Sequence, residues 1–440
     1  MGMGLGSTNR TTAHAVARGA LAAVACASAS WLAACSDAPA SLTERAWVEL
    51  GPGGEAIARV ITSADSCPSI EVDGRALAMS VRAEPDPPLF PVLTCELTLP
   101  AGARAAALGP RPLPLPPSGE PARVAVVGDT GCRLETGDPP QSCNDPVAWP
   151  FARVATAIAD LAPDVILHVG DYLYRESPCP EGDGGCAGSP FGYDWETIDA
   201  DFFAPAEPLF RAAPLALTRG NHESCSRAGA VWFRFLDPRP YDGACVDYTE
   251  PYAIELGSLQ LLMFDSSAAN DRSVAPAQLA LYRPQFDQVA RLAGPRALFA
   301  THRPMWVFGH AGEQDGMEVL FTGNPTLEAA SENQLPAGVE IALSGHVHLQ
   351  ELLAFDAARS PQFVIGNGGT SLDPPIQTPL AGLEIGGAVV ADAFVRDDFG
   401  FATLEPKDVG WRATMYDVAG GAVLGCDVAG SVLTCAPPAR

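Results

Sequence analysis

Short runs of alternating hydrophobic and polar residues characterise the first part of the chain. Runs such as residues 57–61 and 95–99 are separated by turn residues such as Asp73-Gly74, and no long helical period is present. This pattern predicts short antiparallel strands. We therefore predict a small β-sandwich domain over residues 36–107. Residues 108–121 are dense in proline and glycine, a composition typical of a stiff linker.

The pattern changes after residue 122, where uniformly apolar, β-branched or leucine-rich runs appear. Runs at 123–127 and 164–169 flank a segment with helical periodicity at 149–161. Strand, helix and strand over this spacing predict a βαβ unit with parallel strands. A helix is predicted at 275–292, with a kink at Pro284. Further strands are predicted at 252–256, 259–264, 297–300, 341–343, 352–355 and 363–365.

Two sheets packed face to face and flanked by helices accommodate these elements. The predicted fold class is therefore α/β, an αββα sandwich over residues 122–419, preceded by the small N-terminal β-sandwich. Residues 420–440 are predicted to be a C-terminal appendix, a hairpin closed by Cys426 and Cys435.

The N-terminal residues 1–34 have the pattern of an export signal. Arg10 and Arg18 precede a weakly apolar stretch that is too short to span a membrane. The tetrapeptide Leu32-Ala33-Ala34-Cys35 that follows resembles the lipobox of bacterial lipoproteins, in which the cysteine becomes the lipidated first residue. The alternative is a secretory peptide cleaved nearby. The sequence thus predicts an exported lipoprotein, periplasmic or at the cell surface, anchored to a bacterial membrane through Cys35.

Cysteine spacing agrees with export. Of the 12 cysteines, Cys26 lies in the signal segment and Cys35 at the lipid position, and the other ten fall in local couples without any CxxC spacing. Disulfides are therefore a better prediction than a zinc–thiolate site. The predicted pairs are Cys67 with Cys95, Cys132 with Cys143, Cys179 with Cys186, Cys225 with Cys245, and Cys426 with Cys435.

Charge and composition exclude several classes of function. The formal net charge is -25, and such an acidic surface repels nucleic acid, which is therefore not expected as a general partner. Lys407 is the only lysine, so a P-loop and a Schiff-base lysine are both excluded. No serine stands in a Gly-x-Ser-x-Gly motif, which excludes the α/β-hydrolase mechanism.

Five short polar motifs follow predicted strands. They are Gly128-Asp129-Thr130-Gly131, Gly170-Asp171-Tyr172-Leu173-Tyr174, Gly220-Asn221-His222-Glu223, Thr301-His302-Arg303-Pro304 and Gly345-His346-Val347-His348. Oxygen and imidazole groups at successive strand ends are the ligands that a pair of hard-to-borderline metal ions needs. In Gly-His-x-His, two imidazoles lie on the same side of an extended segment. The motifs therefore predict a two-metal site.

Taken in order, these motifs resemble those of the calcineurin-like metallophosphoesterases, and within them the purple acid phosphatases. The resemblance covers about residues 123–418. The broader superfamily has Asp-x-His in its first motif, whereas Gly131 stands at the place of that histidine here. In the purple subgroup the tyrosine of Gly-Asp-x-x-Tyr supplies the missing ligand, and it matches Tyr174. Phe299 stands where the purple pattern prefers valine.

The resemblance implies a dinuclear centre. One metal is expected to bind Asp129, Tyr174 and His348, and the other Asn221, His302 and His346, with Asp171 bridging both. A phenol has a reference pKa near 10, so its binding as phenolate near neutral pH calls for a strongly polarising ion. Fe(III) is therefore expected at the first position and a divalent ion, Zn, Mn or Fe, at the second.

The resemblance also implies a catalytic role for His222, which is expected to face the substrate and to donate to the phosphate or protonate the leaving oxygen. His310, eight residues after His302, is a second candidate by its position in the following loop, and the alternative is a solvated loop histidine. Arg303 and Arg219 are candidate phosphate contacts, whereas His168 is predicted to make a hydrogen bond in the core.

The resulting hypothesis is a hydrolase of small-molecule phosphate monoesters that uses metal-activated hydroxide. Two alternatives remain open. The first is a phosphodiesterase or nucleotide hydrolase with the same fold, and the second is a non-catalytic surface lipoprotein with structural metals.

Overall fold

The computed structural model describes residues 44–356 and 358–437. The predicted export signal and Cys35 lie outside these residues. Within them, no helix is both long and apolar enough to cross a membrane.

Strands dominate the described chain up to residue 120 and again after residue 338. The N-terminal strands are β1 (Glu44–Leu50), β2 (Ala56–Thr62), β3 (Ser69–Val72), β4 (Arg75–Ala78), β5 (Ser80–Ala83), β6 (Leu93–Thr98), β7 (Ala106–Leu108) and β8 (Arg111–Leu113). The middle strands are β9 (Val124–Val127), β10 (Val165–His168), β11 (Leu215–Leu217), β12 (Tyr252–Leu256), β13 (Leu259–Phe264), β14 (Ala297–Thr301), β15 (Phe308–Gln314), β16 (Met317–Thr322) and β17 (Val339–Ser344). The last strands are β18 (Gln350–Phe355), β19 (Gln362–Ile365), β20 (Glu384–Ile385), β21 (Ala388–Arg396), β22 (Gly400–Pro406), β23 (Trp411–Asp417), β24 (Ala422–Ala429) and β25 (Val432–Ala436).

The helices lie between the middle strands. They are α1 (Phe151–Asp160), α2 (Trp195–Ile198), α3 (Glu207–Ala212), α4 (Gly229–Val231), α5 (Pro276–Leu292) and α6 (Pro325–Ser331), with π-helical turns at Asp199–Phe203 and Trp232–Leu236. The helix predicted at 149–161 is therefore present as α1, and α5 continues through Pro284.

Two sheets form the frame of the described residues. One has 11 strands in the order β25-β24-β23-β22-β9-β10-β11-β1-β2-β6-β5, and the other has eight in the order β12-β13-β14-β17-β19-β18-β21-β20. Strands β9, β10 and β11 are mutually parallel, as are β13, β14, β17 and β19. Their sequences are mostly apolar, since nearly every residue in them is buried.

The core has three apolar layers. Val126 and Leu167 of the first sheet pack against Leu298, Leu343 and other side chains of the second. The outer face of the first sheet is covered by α1, α3 and the π-helical turns, and that of the second by α5 and α6. The predicted αββα sandwich is therefore confirmed.

The N-terminal β-rich portion is present, as predicted, but its strands are divided between two sheets. β1, β2, β6 and β5 extend the 11-stranded sheet, because β1 pairs in parallel with β11 through Glu49 and Leu215. β3, β4, β7 and β8 form a separate four-stranded sheet. The segment 108–121, expected as a linker, contains β8, which pairs with β7. The domain boundaries themselves stay a prediction.

Two buried arginines connect the N-terminal strands to the π-helical turn at Trp232–Leu236. Arg59 donates to the carbonyl of Phe235 at 2.6 Å, and Arg82 donates to the carbonyl of Phe233 at 2.7 Å. Both also donate to the carbonyl of Asp237. They thereby satisfy carbonyl groups that a helix end leaves without partners. The N-terminal strands thus hold the chain that follows the Asn221-His222 motif.

All five predicted disulfides are present in the described residues. Cys225–Cys245 closes the loop after the Gly-Asn-His-Glu motif, and Cys132–Cys143 closes the loop after Gly131. Cys426–Cys435 joins β24 to β25, so the predicted C-terminal hairpin is also present. This hairpin is not a free appendix, because β24 pairs with β23 and continues the large sheet.

A buried carboxyl group on β18 gives a prediction about stability. Burial raises the pKa of Glu351 well above its ordinary value, opposed only by the hydrogen bond that it accepts from the Phe308 N–H. The folded protein therefore keeps a proton that the unfolded chain releases, so stability falls as the pH rises above the unfolded pKa of about 4.3. We expect Glu351→Gln to raise the free energy of unfolding at pH 7.5 by about 1–3 kcal/mol. Urea unfolding at pH 7.5 and pH 4 checks this, and an equal gain at both values would contradict it.

Candidate metal centre

The five motifs leave the carboxyl ends of parallel strands of both sheets. They follow β9, β10, β11, β14 and β17, all of which end at the same edge of the sandwich. Asp129, Asp171 and His346 adopt left-handed backbone conformations, with φ values of 56°, 58° and 74°. Such conformations cost about 1–3 kcal/mol each in non-glycine residues and cluster at functional sites. The turns point these three side chains toward one another.

Glycines beside these residues leave room for the carboxylates. A Cβ atom at Gly220 would lie 2.0 Å from Asp171 Oδ1, and one at Gly345 would lie 2.2 Å from Asp129 Oδ2. Larger residues at these two positions would therefore displace the carboxylates.

Gly131 stands where the broader superfamily has a histidine, and no side chain fits there. A Cβ atom at this position would lie 2.6 Å from Asp201 Oδ2, 2.9 Å from the Tyr174 nitrogen and 3.0 Å from the Tyr172 oxygen. The Asp201 carboxylate and the backbone of the tyrosine loop thus occupy the space that a side chain at position 131 would need.

The Tyr174 hydroxyl lies at the centre of the first group of predicted ligands. Its oxygen is 3.0 Å from Asp129 Oδ1, 2.8 Å from Asp171 Oδ2 and 3.0 Å from His348 Nε2. The structure therefore brings together the four side chains that the resemblance assigned to the first metal, counting Asp171 as shared.

The second group of predicted ligands surrounds His302. Its Nε2 atom is 3.0 Å from Asn221 Oδ1 and 3.2 Å from Asp171 Oδ2. Ligand atoms of Asp171, His302 and His346 all lie within 4.8 Å of one another. Nδ1 of His302 lies 2.9 Å from the Val169 oxygen. A proton on Nδ1 donates to that carbonyl and leaves the Nε2 lone pair facing the group, as in most metal-binding histidines.

The electrostatics of this group call for positive charge. Burial, together with the neighbouring Asp171, raises the pKa of Asp129 well above its usual range. Burial and the two carboxylates raise the pKa of Tyr174 in the same direction. Burial lowers the pKa of His302, but Asp171, Asp129 and the hydrogen bond with the Val169 carbonyl together outweigh burial and raise that pKa to about 9. The described residues thus supply carboxylates, imidazoles, an amide and a phenol in a buried anionic pocket, a donor set that fits two cations.

His222 lies beside the predicted metal ligands but is not itself one of them. Its ring centroid is 3.9 Å from that of Tyr174, and its backbone N–H donates to Asp171 Oδ1 at 2.9 Å. Its Nδ1 atom is 2.8 Å from Glu176 Oε1 and also 2.8 Å from Arg227 Nη2, so Nδ1 can donate to the carboxylate or accept from the guanidinium, according to the tautomer. Arg227 also donates to Glu176, and Nε2 of His222, at 3.8 Å from Asp171 Oδ2, faces the centre.

The structure does not bring His310 into this group. His310 lies on β15, and its Nδ1 atom is 3.0 Å from Glu318 Oε1 on β16. His168 is buried as predicted: its Nε2 atom is 3.0 Å from the Thr130 hydroxyl oxygen, and its Nδ1 atom accepts from the Gly170 N–H. Burial lowers the pKa of His168 to about 3, so it stays neutral.

The two candidate arginines occupy different environments. Arg219 is buried and donates to the carbonyls of Glu223 and Val246, so it holds the loop of the third motif and is not open to a phosphate. Arg303 lies beside the centre, with Nη1 2.9 Å from His346 Nε2, and forms an ion pair with Asp271.

Three carboxylates that shape the site were not assigned a role from the sequence. Glu223 accepts from the N–H groups of Tyr172 and Gly220 and so joins two motifs. Asp201 accepts from the N–H of Tyr174 at 2.7 Å, and Asp373 accepts from that of His348 at 2.8 Å. Glu223 stands within the Gly-Asn-His-Glu motif, whereas Asp201 and Asp373 lie in segments without any sequence signal.

Comparison with known proteins agrees with this geometry. Residues 122–350 match the family model of the calcineurin-like phosphoesterases, which is more than half of the chain. The chain therefore belongs to the calcineurin-like phosphoesterase family.

Among curated proteins, it is similar to purple acid phosphatase 15 of Arabidopsis thaliana. The two are 26% identical over 271 residues, which is 58% of this chain and 46% of the relative. The chain thus spans about half the length of that relative.

Two solved structures share the fold. Purple acid phosphatase PPD1 from yellow lupin, Lupinus luteus, superposes with a TM-score of 0.52 at 18% identity, covering 86% of this chain and 72% of that one. PhoD superposes with a TM-score of 0.55 at 11% identity, covering 90% and 92%. The similarity extends to the N-terminal strands, because both alignments cover most of the chain.

Proposed function

We propose that this protein hydrolyses phosphate monoesters at a dinuclear metal centre of the purple acid phosphatase type. The observation that carries the proposal is the position of the Tyr174 hydroxyl, within 3.0 Å of Asp129, Asp171 and His348. Gly131, where no side chain fits, supports the same assignment. The expected ions are Fe(III) beside Tyr174 and Zn, Mn or Fe as the divalent ion beside Asn221, His302 and His346.

Two cations held by these residues would neutralise phosphate oxygens and would supply the hydroxide nucleophile at neutral pH. The protein's own contribution is to fix the ligands before substrate arrives. Val169 orients His302, Asp373 holds the backbone of His348, and Glu223 joins the loops of Asp171 and Asn221. No protein nucleophile is required.

His222 is proposed to protonate the leaving oxygen. Glu176 and Arg227 each lie 2.8 Å from its Nδ1 atom and together fix the ring over Tyr174. The imidazole can then present Nε2–H to the departing alcohol. His310 is bound to Glu318 in this structure, so its catalytic role stays a prediction.

A small ester panel tests the activity. We expect turnover of 4-nitrophenyl phosphate to exceed that of bis(4-nitrophenyl) phosphate, and Asn221→Ala or His346→Ala to abolish both. Faster turnover of the diester would favour the phosphodiesterase alternative. A metal-loaded protein without activity on any phosphoester would support the non-catalytic lipoprotein instead.

Colour tests the metal assignment. A phenolate bound to ferric iron gives a visible charge-transfer band, so we expect the purified protein to absorb visible light and Tyr174→Phe to lose that band. Tyr248→Phe, the same change at an exposed tyrosine outside the five motifs, serves as a control and should keep it. Visible spectra beside elemental analysis check this prediction. A colourless protein that holds only zinc or manganese would exclude the ferric assignment.

Export and lipid anchoring through Cys35 remain part of the proposal. The five disulfides support an oxidising compartment. In bacteria fed a labelled fatty acid, we expect the full chain to be labelled and to sediment with membranes, and Cys35→Ala to lose both properties. An unlabelled wild-type protein in the soluble periplasmic fraction would indicate the secretory alternative.

A further inference from the structure

The hairpin β15–β16 stands apart from the two large sheets. Its strands pair only with each other among the described residues, with His310 opposite Leu320. Met317 and Phe321 on one face are exposed, with 70% and 40% of their surface accessible. That face does not attach the hairpin to the rest of the protein.

Glu318, on the other face, binds a second segment of the chain. Its carboxylate accepts the N–H of Gln377 at 3.0 Å and that of Thr378 at 2.7 Å, in addition to its contact with His310. Its side chain is only 7% exposed. The hydrogen bonds that it accepts, led by that from His310, lower the pKa of Glu318 to about 2, so it is ionised at working pH.

The segment that Glu318 binds also contacts the metal ligands. Residues 366–378 contain neither helix nor strand. The Thr370 N–H donates to the carbonyl of Asp129 at 2.9 Å. Asp373 accepts the His348 N–H at 2.8 Å, and its own N–H donates to the His348 carbonyl at 3.2 Å. The irregular segment is thus fixed at the metal centre on one side and at Glu318 on the other.

We propose that Glu318 is a positioning residue that holds residues 366–378 against the metal centre and, through Asp373, keeps His348 in place to bind metal. This inference rests on the proposed function, because His348 acts as a ligand only in a metal centre. An irregular segment gains order chiefly from such anchors, since it has no ladder of backbone hydrogen bonds. Loss of Glu318 therefore frees the segment near Thr378 and leaves His348 less constrained.

The rate at which a chelator removes metal from the purified holoprotein tests this proposal. We expect loss to be about three- to ten-fold faster in Glu318→Ala and about ten- to 100-fold faster in Asp373→Ala, as for other residues that orient metal ligands. Glu318→Gln, which keeps an acceptor oxygen, should fall between wild type and Glu318→Ala. Asp315→Asn is the control, because Asp315 is an exposed carboxylate in the turn of the same hairpin and is not paired with Glu318. It should match wild type.

A double variant that combines Glu318→Ala with Asp373→Ala tests whether Glu318 acts on metal release through Asp373. Because Glu318 acts through Asp373, Glu318→Ala should add little to the rate already reached in Asp373→Ala. The proposal is overturned if Glu318→Ala releases metal at the same rate as Asp315→Asn, or if its full effect persists when Asp373 is replaced.

Further measurements distinguish a positioning role of Glu318 from a folding defect and from failure of the proposed function. If Glu318→Ala does not fold, Thr378→Pro tests the same contact, because it removes the N–H that donates to Glu318. It should likewise lose metal about three- to ten-fold faster than wild type. If the wild-type protein binds metal but hydrolyses no phosphoester, the proposed function fails while the chelator comparison still decides the role of Glu318. Amide exchange should be faster at residues 371–373 and 376–378 in Glu318→Ala and unchanged in β9 and β10.

Discussion

Asp171→Asn should lower kcat for 4-nitrophenyl phosphate by about 10³-fold or more and reduce the metal content of the purified protein. Asp171 is the side chain common to both groups of predicted ligands, with Oδ2 2.8 Å from the Tyr174 hydroxyl and 3.2 Å from His302 Nε2. Its replacement removes the negative charge that both ions would share. No other carboxylate in the described cluster contacts both groups in this way.

Asparagine is the informative substitution at this position. It keeps the size of the side chain and an oxygen that can accept the His222 N–H, now bound by Oδ1 at 2.9 Å. The fold is therefore expected to survive. Asp160→Asn removes an equal charge from an exposed site at the end of α1 and should leave kcat unchanged. Retention of activity and of two metal ions in Asp171→Asn would refute a bridging role.

Much of the fold was accessible from the sequence because its central strands are buried on both faces. β12 and β13 have the predicted bounds, and β9, β10 and α1 differ from prediction by one or two residues at their ends. A continuous apolar run identifies such strands without knowledge of their neighbours.

The sequence did not reveal which strands would pair across long distances. β1 pairs with β11 through a single register contact between Glu49 and Leu215, far apart in the chain. An alternating pattern in β1 or β2 is equally compatible with an independent sandwich and with the edge of a larger sheet. The contacts of Arg59 and Arg82 with the carbonyls of residues 233–239 could not be anticipated either, because they depend on that pairing.

In the site, too, some features could be predicted from the sequence and others could not. Its seven predicted ligands stand in short motifs at strand ends, so topology alone brings them to one edge of the sandwich. Phe299, the departure from the family pattern, packs against Phe264 and leaves His302 free to join the group. Asp201 and Asp373, in contrast, act on backbone N–H groups of Tyr174 and His348 from irregular segments. Such contacts depend on loop conformation, which carries no periodic signal.

The position of His310 shows that closeness to a motif in the sequence does not place a residue in the site. Its distance along the chain from His302 suggested a second catalytic histidine, but β15 bends into a hairpin with β16 and directs the ring to Glu318. A position near a ligand in sequence does not fix the direction of a side chain once a new strand begins.

The second large effect is expected at His222, and it should depend on the leaving group. His222→Ala removes the proposed proton donor, so kcat for an alkyl phosphate such as glycerol 2-phosphate should fall by about 10²–10⁴-fold. The fall for 4-nitrophenyl phosphate should be much smaller, because nitrophenolate leaves without prior protonation. Steady-state kinetics on both substrates measure this difference.

A Glu176 variant and the metal content of His222→Ala provide the controls for this comparison. Glu176 binds His222 Nδ1 at 2.8 Å, so Glu176→Gln should show the same dependence on the leaving group with a smaller loss of kcat. Metal content should stay at the wild-type value in His222→Ala, because Asn221 and not His222 lies beside His302. If kcat falls equally on both esters, His222 positions the phosphate instead of protonating the alcohol. If metal is lost, the ring over Tyr174 serves to pack the centre, and the proton donor must be sought elsewhere at its rim.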